Sequence, residues 1–224
     1  EVLITLTIIG IIAALTVPNL IVNYQKKQTV VKLKKIYSEI TQAVKLAEVQ
    51  YGSIDTWNED NTLSTKEKIE KYLFPFVKMK KDNISDLKKQ NIKYYALNGN
   101  VENSYRPFYA SSNVITLISG AQIFAWDNTP TSTSYFTLSI IVDINGTSKP
   151  NKLGRDIFVF SICPKGIIGK NTDDGESYTV SKTRNVLLNG PSKNSYNCSK
   201  SARGEWCAAV IMLDNWEIKD DYPW

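Results

Sequence analysis

The chain has 224 residues and a formal net charge of +5, and 42% of it is hydrophobic, enough for a sizeable core and too apolar for a disordered chain. It contains no histidine, which removes the commonest general base near neutral pH, the commonest metal ligand and every Ser/His or Cys/His nucleophile pair. With no nucleophile elbow, phosphate loop or paired-carboxylate spacing either, the composition speaks for a structural or binding protein and against an enzyme.

The first stretch reads EVLITLTIIGIIAALTVPNL, a glutamate followed by an uncharged apolar run broken only by Thr5, Thr7, Gly10, Thr16, Pro18 and Asn19. Counted through residue 22, it has roughly the 20 residues that a helix needs to span a bilayer. A secretory signal peptide would carry a basic residue before the run and a small-residue cleavage site after it, and neither is present. A buried core helix is the other alternative, but this run is apolar all round.

Beyond residue 22 the pattern becomes amphipathic. Leu33, Tyr37, Ile40, Val44, Ala47 and Tyr51 recur at steps of four and three, one stripe on a helix, and Gly52 is a natural stop. Residues 2–51 therefore read as one helix, about 75 Å long at 1.5 Å per residue. Pro18 lies inside it and is expected to kink or locally melt it. The organisation that follows is a membrane or filament-core half over residues 1–24 and a globular head over residues 25–224 that includes the amphipathic half of the helix.

After the long helix the head continues with Ser64-Thr-Lys-Glu67, a capping box opening a short helix that Pro75 ends, and residues 85–90 suggest another. Runs rich in β-branched and aromatic residues follow at 114–119, 122–126, 135–144 and 157–163, separated by Ser-Gly, Asp-Asn and Asn-Gly turns. No helical crossover separates them, so an antiparallel meander is expected, one face packed on the helix stripe. Residues 166–204 are rich in Asn, Ser, Lys and Gly and read as surface loops, until an apolar segment returns at 205–213. The fold class is α+β.

Cys198 and Cys207 bracket the polar loop NCSKSARGEWC and read as a disulfide formed in an oxidising compartment; Cys163, within IFVFSIC, reads as a buried free thiol. The lysine clusters at 26–35 and 66–93 read as solvated faces, with an acidic partner or DNA as the alternative.

The opening segment resembles the N-terminal segment of type IV pilins and type II secretion pseudopilins, in which a glutamate heads an unbroken apolar stretch and a proline follows seventeen positions later, the spacing of Glu1 and Pro18. The likeness is close over the first 25 residues or so and looser over the amphipathic helix. It implies a subunit that waits in the inner membrane, is processed by a prepilin peptidase and is polymerised with copies of itself by the pilus assembly machinery into an extracellular filament. It also implies that a few residues and a short basic leader precede Glu1, and that Glu1 pairs with the free α-amino group of a neighbouring subunit and so fixes axial register. Gly10 would allow close helix approach, and Pro18 the loss of a helical turn on leaving the membrane. A pilus subunit is the expected function, with a secretion pseudopilin or minor pilin as the alternative. Lys26, Lys27, Lys32, Lys34 and Lys35 run against this orientation, because the positive-inside rule would hold the head in the cytoplasm unless a basic leader outweighs them.

A second stretch, DINGTSKPNKLGRDIFVF, looks like the turn after a sheet strand in large pilin-like proteins. Oxygens of Asp143, Asn145, Asn151 and Asp156 could encircle calcium, a hard cation that takes oxygen ligands. The order is not that of an EF-hand: no glutamate closes the loop, and Thr147 stands where a further acid would help. The alternative is an ordinary Asn145-Gly146 turn, with Asp156 capping it or pairing with Lys152 or Arg155.

Overall fold

A computed structural model of the chain describes residues 2–59, 63, 65–80, 92–102, 114–126, 138–173 and 182–224. Helix α1 is Val2–Tyr51, 50 residues that run through Pro18 without interruption, so the expected local melting is not seen. Within its apolar half the hydroxyls of Thr5, Thr7 and Thr16 donate to the carbonyls of Val2, Leu3 and Ile12 at 2.8, 2.8 and 2.9 Å. Each hydroxyl is thus satisfied by its own helix, as a lipid environment requires. Gly52 ends the helix at φ 86°, its N–H donating to the Glu48 carbonyl at 2.9 Å.

The second half of α1 enters the core. Leu33, Ile36, Ile40, Ala43, Val44 and Ala47 are its buried residues. Ile36 and Ala43 take the central positions expected for Tyr37 and Tyr51, which sit half-buried at the edges of the stripe. Tyr37 still does structural work there: its ring lies 5.7 Å from Phe160 and 4.9 Å from Trp216, and its hydroxyl donates to the Ile167 carbonyl at 3.0 Å.

The sheet is the expected meander, carried one strand further. β1 (Val114–Thr116), β2 (Gln122–Trp126), β3 (Leu138–Asp143), β4 (Ile157–Cys163) and β5 (Gly166–Gly169) pair in sequence order, all antiparallel. Alternation along the strands splits the core. Ile140, Val142, Phe158, Phe160 and Ile162 join the buried face of α1, whereas Ile141, Ile157 and Val159 pack with Tyr94, Leu153 and Phe124. Every residue of β3 and β4 is consequently buried, so the sheet is covered on both faces.

Helix α2 (Thr65–Tyr72) is the short helix expected before Pro75; Ser64, the cap proposed for it, and the helix expected at 85–90 lie outside the described residues. The expectation of surface loops over 166–204 is corrected by β5 and by α3 (Arg184–Asn189), whose Leu187 and Leu188 are buried. Helix α4 (Cys207–Leu213) buries its first five residues against β4 and β5. These elements are too short to carry a readable period; tertiary contacts make them.

Candidate functional site

Two regions carry chemistry beyond packing. The first is the free half of α1. Its large apolar residues are all exposed, from Val2 through Val22, with Leu3 at 80%. It is long and apolar enough to cross a membrane, and none of its most apolar window is buried in the head. Gly10 faces open space, with nothing within 4 Å of where a Cβ would stand. Glu1 lies outside the described residues. Among the described residues burial starts at Lys26, whose ammonium is 3.9 Å from the Asp220 carboxylate.

The second region is at the end of the sheet where α1 enters the head. Asp143 closes β3, and the next amide, of Ile144, donates to the Asp156 carbonyl at 2.9 Å, which sets Asp156 beside it at the start of β4. Asp143 Oδ1 accepts the Asn145 amide at 3.1 Å, and Asp156 accepts the amides of Asn151 at 2.8 Å and Lys152 at 2.6 Å. Asp156 therefore does cap the loop, but through backbone donors; it makes no ion pair with Lys152 or Arg155. Glycine is required at 146, where φ is 65° and a Cβ would stand 2.8 Å from the Gly120 carbonyl oxygen. Asn151 holds φ 51°, a left-handed conformation that asparagine tolerates better than most side chains.

Asp143, Asn151 and Asp156 are buried, and Tyr94, which sequence reading gave no reason to include, is buried beside them. A parallel bridge between Tyr95 and Lys152 brings Tyr94 there. Burial, followed by the Asp156 charge, pushes Asp143 up to about 8, and burial raises Asp156 as well. The Tyr94 hydroxyl is raised by burial and then by both carboxylates. Four buried oxygens here have no hydrogen-bond partner: Asp143 Oδ2, Asn145 Oδ1, Asn151 Oδ1 and the Tyr94 hydroxyl. The structure thus brings together all four loop residues singled out in the sequence. Among the described residues there is no cluster of three or more His, Cys, Asp and Glu side chains; this group is two carboxylates with neutral oxygens.

The head is held by two further devices. Cys198 and Cys207 are disulfide-bonded and Cys163 is free and buried, both as the sequence suggested. Sequence reading missed the buried pair Lys170 and Glu205, 2.6 Å apart, with Arg203 bridging Glu205 at 3.3 Å and Glu102 at 3.0 Å.

No curated protein and no solved structure matches the chain. One family does, over residues 19–224, starting immediately after Pro18, so that Glu1 to Pro18 of the segment resembling pilins lie outside the match. With nearly all of its length covered, the chain belongs to the family of unknown function DUF6613.

Proposed function

We propose that this protein is a structural subunit of a type IV pilus filament and not an enzyme. The observation that carries the reading is the asymmetry of α1: one half buries a face in the head, while the other is apolar on every side and exposed throughout. Such a helix is stable in a bilayer; outside it, its sides must be buried against copies of itself. Parallel bundling makes a filament core and leaves the heads as a coat. The partners are then other copies of the chain, the prepilin peptidase and the assembly machinery of the inner membrane, and the finished filament is extracellular. The disulfide supports export of the head to an oxidising compartment.

In the bundle the Glu1 carboxylate needs a counter-charge, because an unpaired buried carboxylate costs several kcal/mol. The α-amino group of a neighbour supplies it. The test is Glu1→Ala in the producing cell: the protein stays in the membrane fraction while thin filaments seen by negative stain drop sharply. Undiminished filaments in that variant, or labelling of the head from the cytoplasmic side, would count decisively against the proposal. Abundance of the chain in purified filaments separates a major subunit from a minor one or a pseudopilin.

A further inference from the structure

We propose that the loop joining β3 and β4 is a calcium site, with Asp143, Asn145, Asn151 and Asp156 as ligands and the Tyr94 hydroxyl beside the ion. This does not depend on the filament reading. Three orphaned acceptors point to a ligand rather than to a turn: Asp143 Oδ2, Asn145 Oδ1 and Asn151 Oδ1 are buried and receive no proton from the chain. A buried acceptor left unsatisfied costs roughly 1–3 kcal/mol, more for a charged one. Three at one place, on residues that already spend their other atoms organising the loop, are satisfied together by one cation.

The charge fits. Two neighbouring buried carboxylates supply two negative charges once an ion displaces their protons, and neither makes an ion pair with a lysine or arginine among the described residues. Arg155 feels the Asp156 charge but makes no ion pair with it, its guanidinium lying 4.4 Å from the centre of the Trp224 ring. The donors are all oxygens, carboxylate, amide and phenol, from an irregular loop. Calcium accepts such a set at variable geometry, whereas magnesium demands a near-ideal octahedron and keeps its water. Two of the four ligands, Asn145 and Asp156, line a cleft of about 380 Å³ that they share with Gln25, Gln28 and Lys32 of α1 and with Arg155. The ion would tie the end of the sheet to the loop that borders the emerging helix.

The competing way to neutralise two adjacent carboxylates is a shared proton, and the experiment separates the two. The full chain in detergent micelles is stripped with EGTA, then titrated with calcium by calorimetry and with terbium, whose luminescence is excited through nearby tyrosine. We expect one calcium per chain, terbium emission that calcium quenches by competition, and a higher unfolding midpoint with calcium. Asp143→Asn and Asn151→Gly, the latter keeping the left-handed backbone, should each weaken binding by about tenfold or more, a loss of about 1.4 kcal/mol. The proposal falls if the chain takes up no calcium at about 1 mM, the weak end of known protein sites. It falls equally if Asn151→Gly binds as tightly as the parent, if magnesium stabilises as well as calcium does, or if Asp143→Asn stabilises the stripped chain while calcium has no effect on the parent. Should Asp143→Asn not fold, Asn151→Gly decides alone.

Discussion

Gly154 stands directly against the disulfide: a Cβ at this position would be 2.8 Å from Cys207 Sγ, and φ is 74°, where only glycine is unstrained. The Tyr222 hydroxyl donates to the Gly154 carbonyl at 2.7 Å, so the loop after β3, the cystine and the C-terminal segment meet at one point. Gly154→Ala should therefore cost more than the roughly 1–3 kcal/mol typical of an overpacked core, because backbone strain adds to the clash. Denaturant unfolding measures the loss. A variant as stable as the parent would mean that the disulfide and the loop can move apart freely.

Reducing the Cys198–Cys207 bond, or replacing both residues with serine, should cost about 2–3 kcal/mol, the chain-entropy value for a loop closed over a sequence separation of 9. Cys163 should behave differently. It is fully buried, and burial raises its thiol above the ordinary range, so it is both inaccessible and poor in thiolate. Alkylation of the native, oxidised chain should label no cysteine, and labelling in denaturant should find one thiol. Rapid native labelling of Cys163 would mean that β4 opens readily.

What could be read from the sequence and what could not divide along physical lines. Helix α1 was legible because its pattern persists over 50 residues, and β2 and β4 because short runs dominated by β-branched and aromatic residues between turn signals have few other uses. The four loop oxygens were legible as a group because turn chemistry placed them within one short stretch. Tyr94 was not, since it reaches the loop through a bridge between Tyr95 and Lys152, far apart in sequence. The same holds for Lys170 with Glu205, 35 positions away, whereas β5 follows β4 directly but is only four residues, GIIG, too short to show a period. The covering of the second sheet face was also hidden: alternation tells which residues share a face, not whether another segment will lie on it.

Lys170 and Glu205 make a strong prediction because both are buried. Glu205→Ala removes the carboxylate 2.6 Å from the buried Lys170 ammonium and should destabilise the head by up to about 3–5 kcal/mol. Replacing the pair together, Lys170→Met with Glu205→Leu, should recover much of that loss. If the double variant is no better than the single one, the carboxylate is needed for its contact with Arg203 rather than for Lys170.

The pH response of the cation-free chain follows from Asp143. Its ordinary value is 3.8, and burial, with the Asp156 charge second, raises it to about 8 in the fold. Between those values the folded chain holds a proton that the unfolded chain has released, so raising the pH favours unfolding. The contribution of this carboxyl is fully present below about pH 4 and is lost as pH rises through about 8. In EGTA, the stability of the parent relative to Asp143→Asn should thus fall from pH 5 to pH 8. Calcium, if it occupies the site, should remove most of that fall, since it replaces the proton. A flat difference in EGTA would mean that Asp143 is ionised in the fold throughout.

Pro18 offers a test of the free half of α1 that leaves the head alone. The helix is continuous there, yet proline has no N–H to give the carbonyl four residues earlier, so one rung is missing in the middle of an otherwise complete ladder. In an apolar surrounding that missing rung is a weak point. Pro18→Ala restores it and should stiffen the helix by up to about 3 kcal/mol. If assembly requires a local loss of helix at this position, the variant should insert in the membrane and fold its head like the parent, with unchanged thiol labelling and unfolding midpoint, but give several-fold fewer filaments. Normal filaments from Pro18→Ala would show that the subunit assembles with α1 intact, and the proline would then be a bend or packing feature with no part in leaving the membrane.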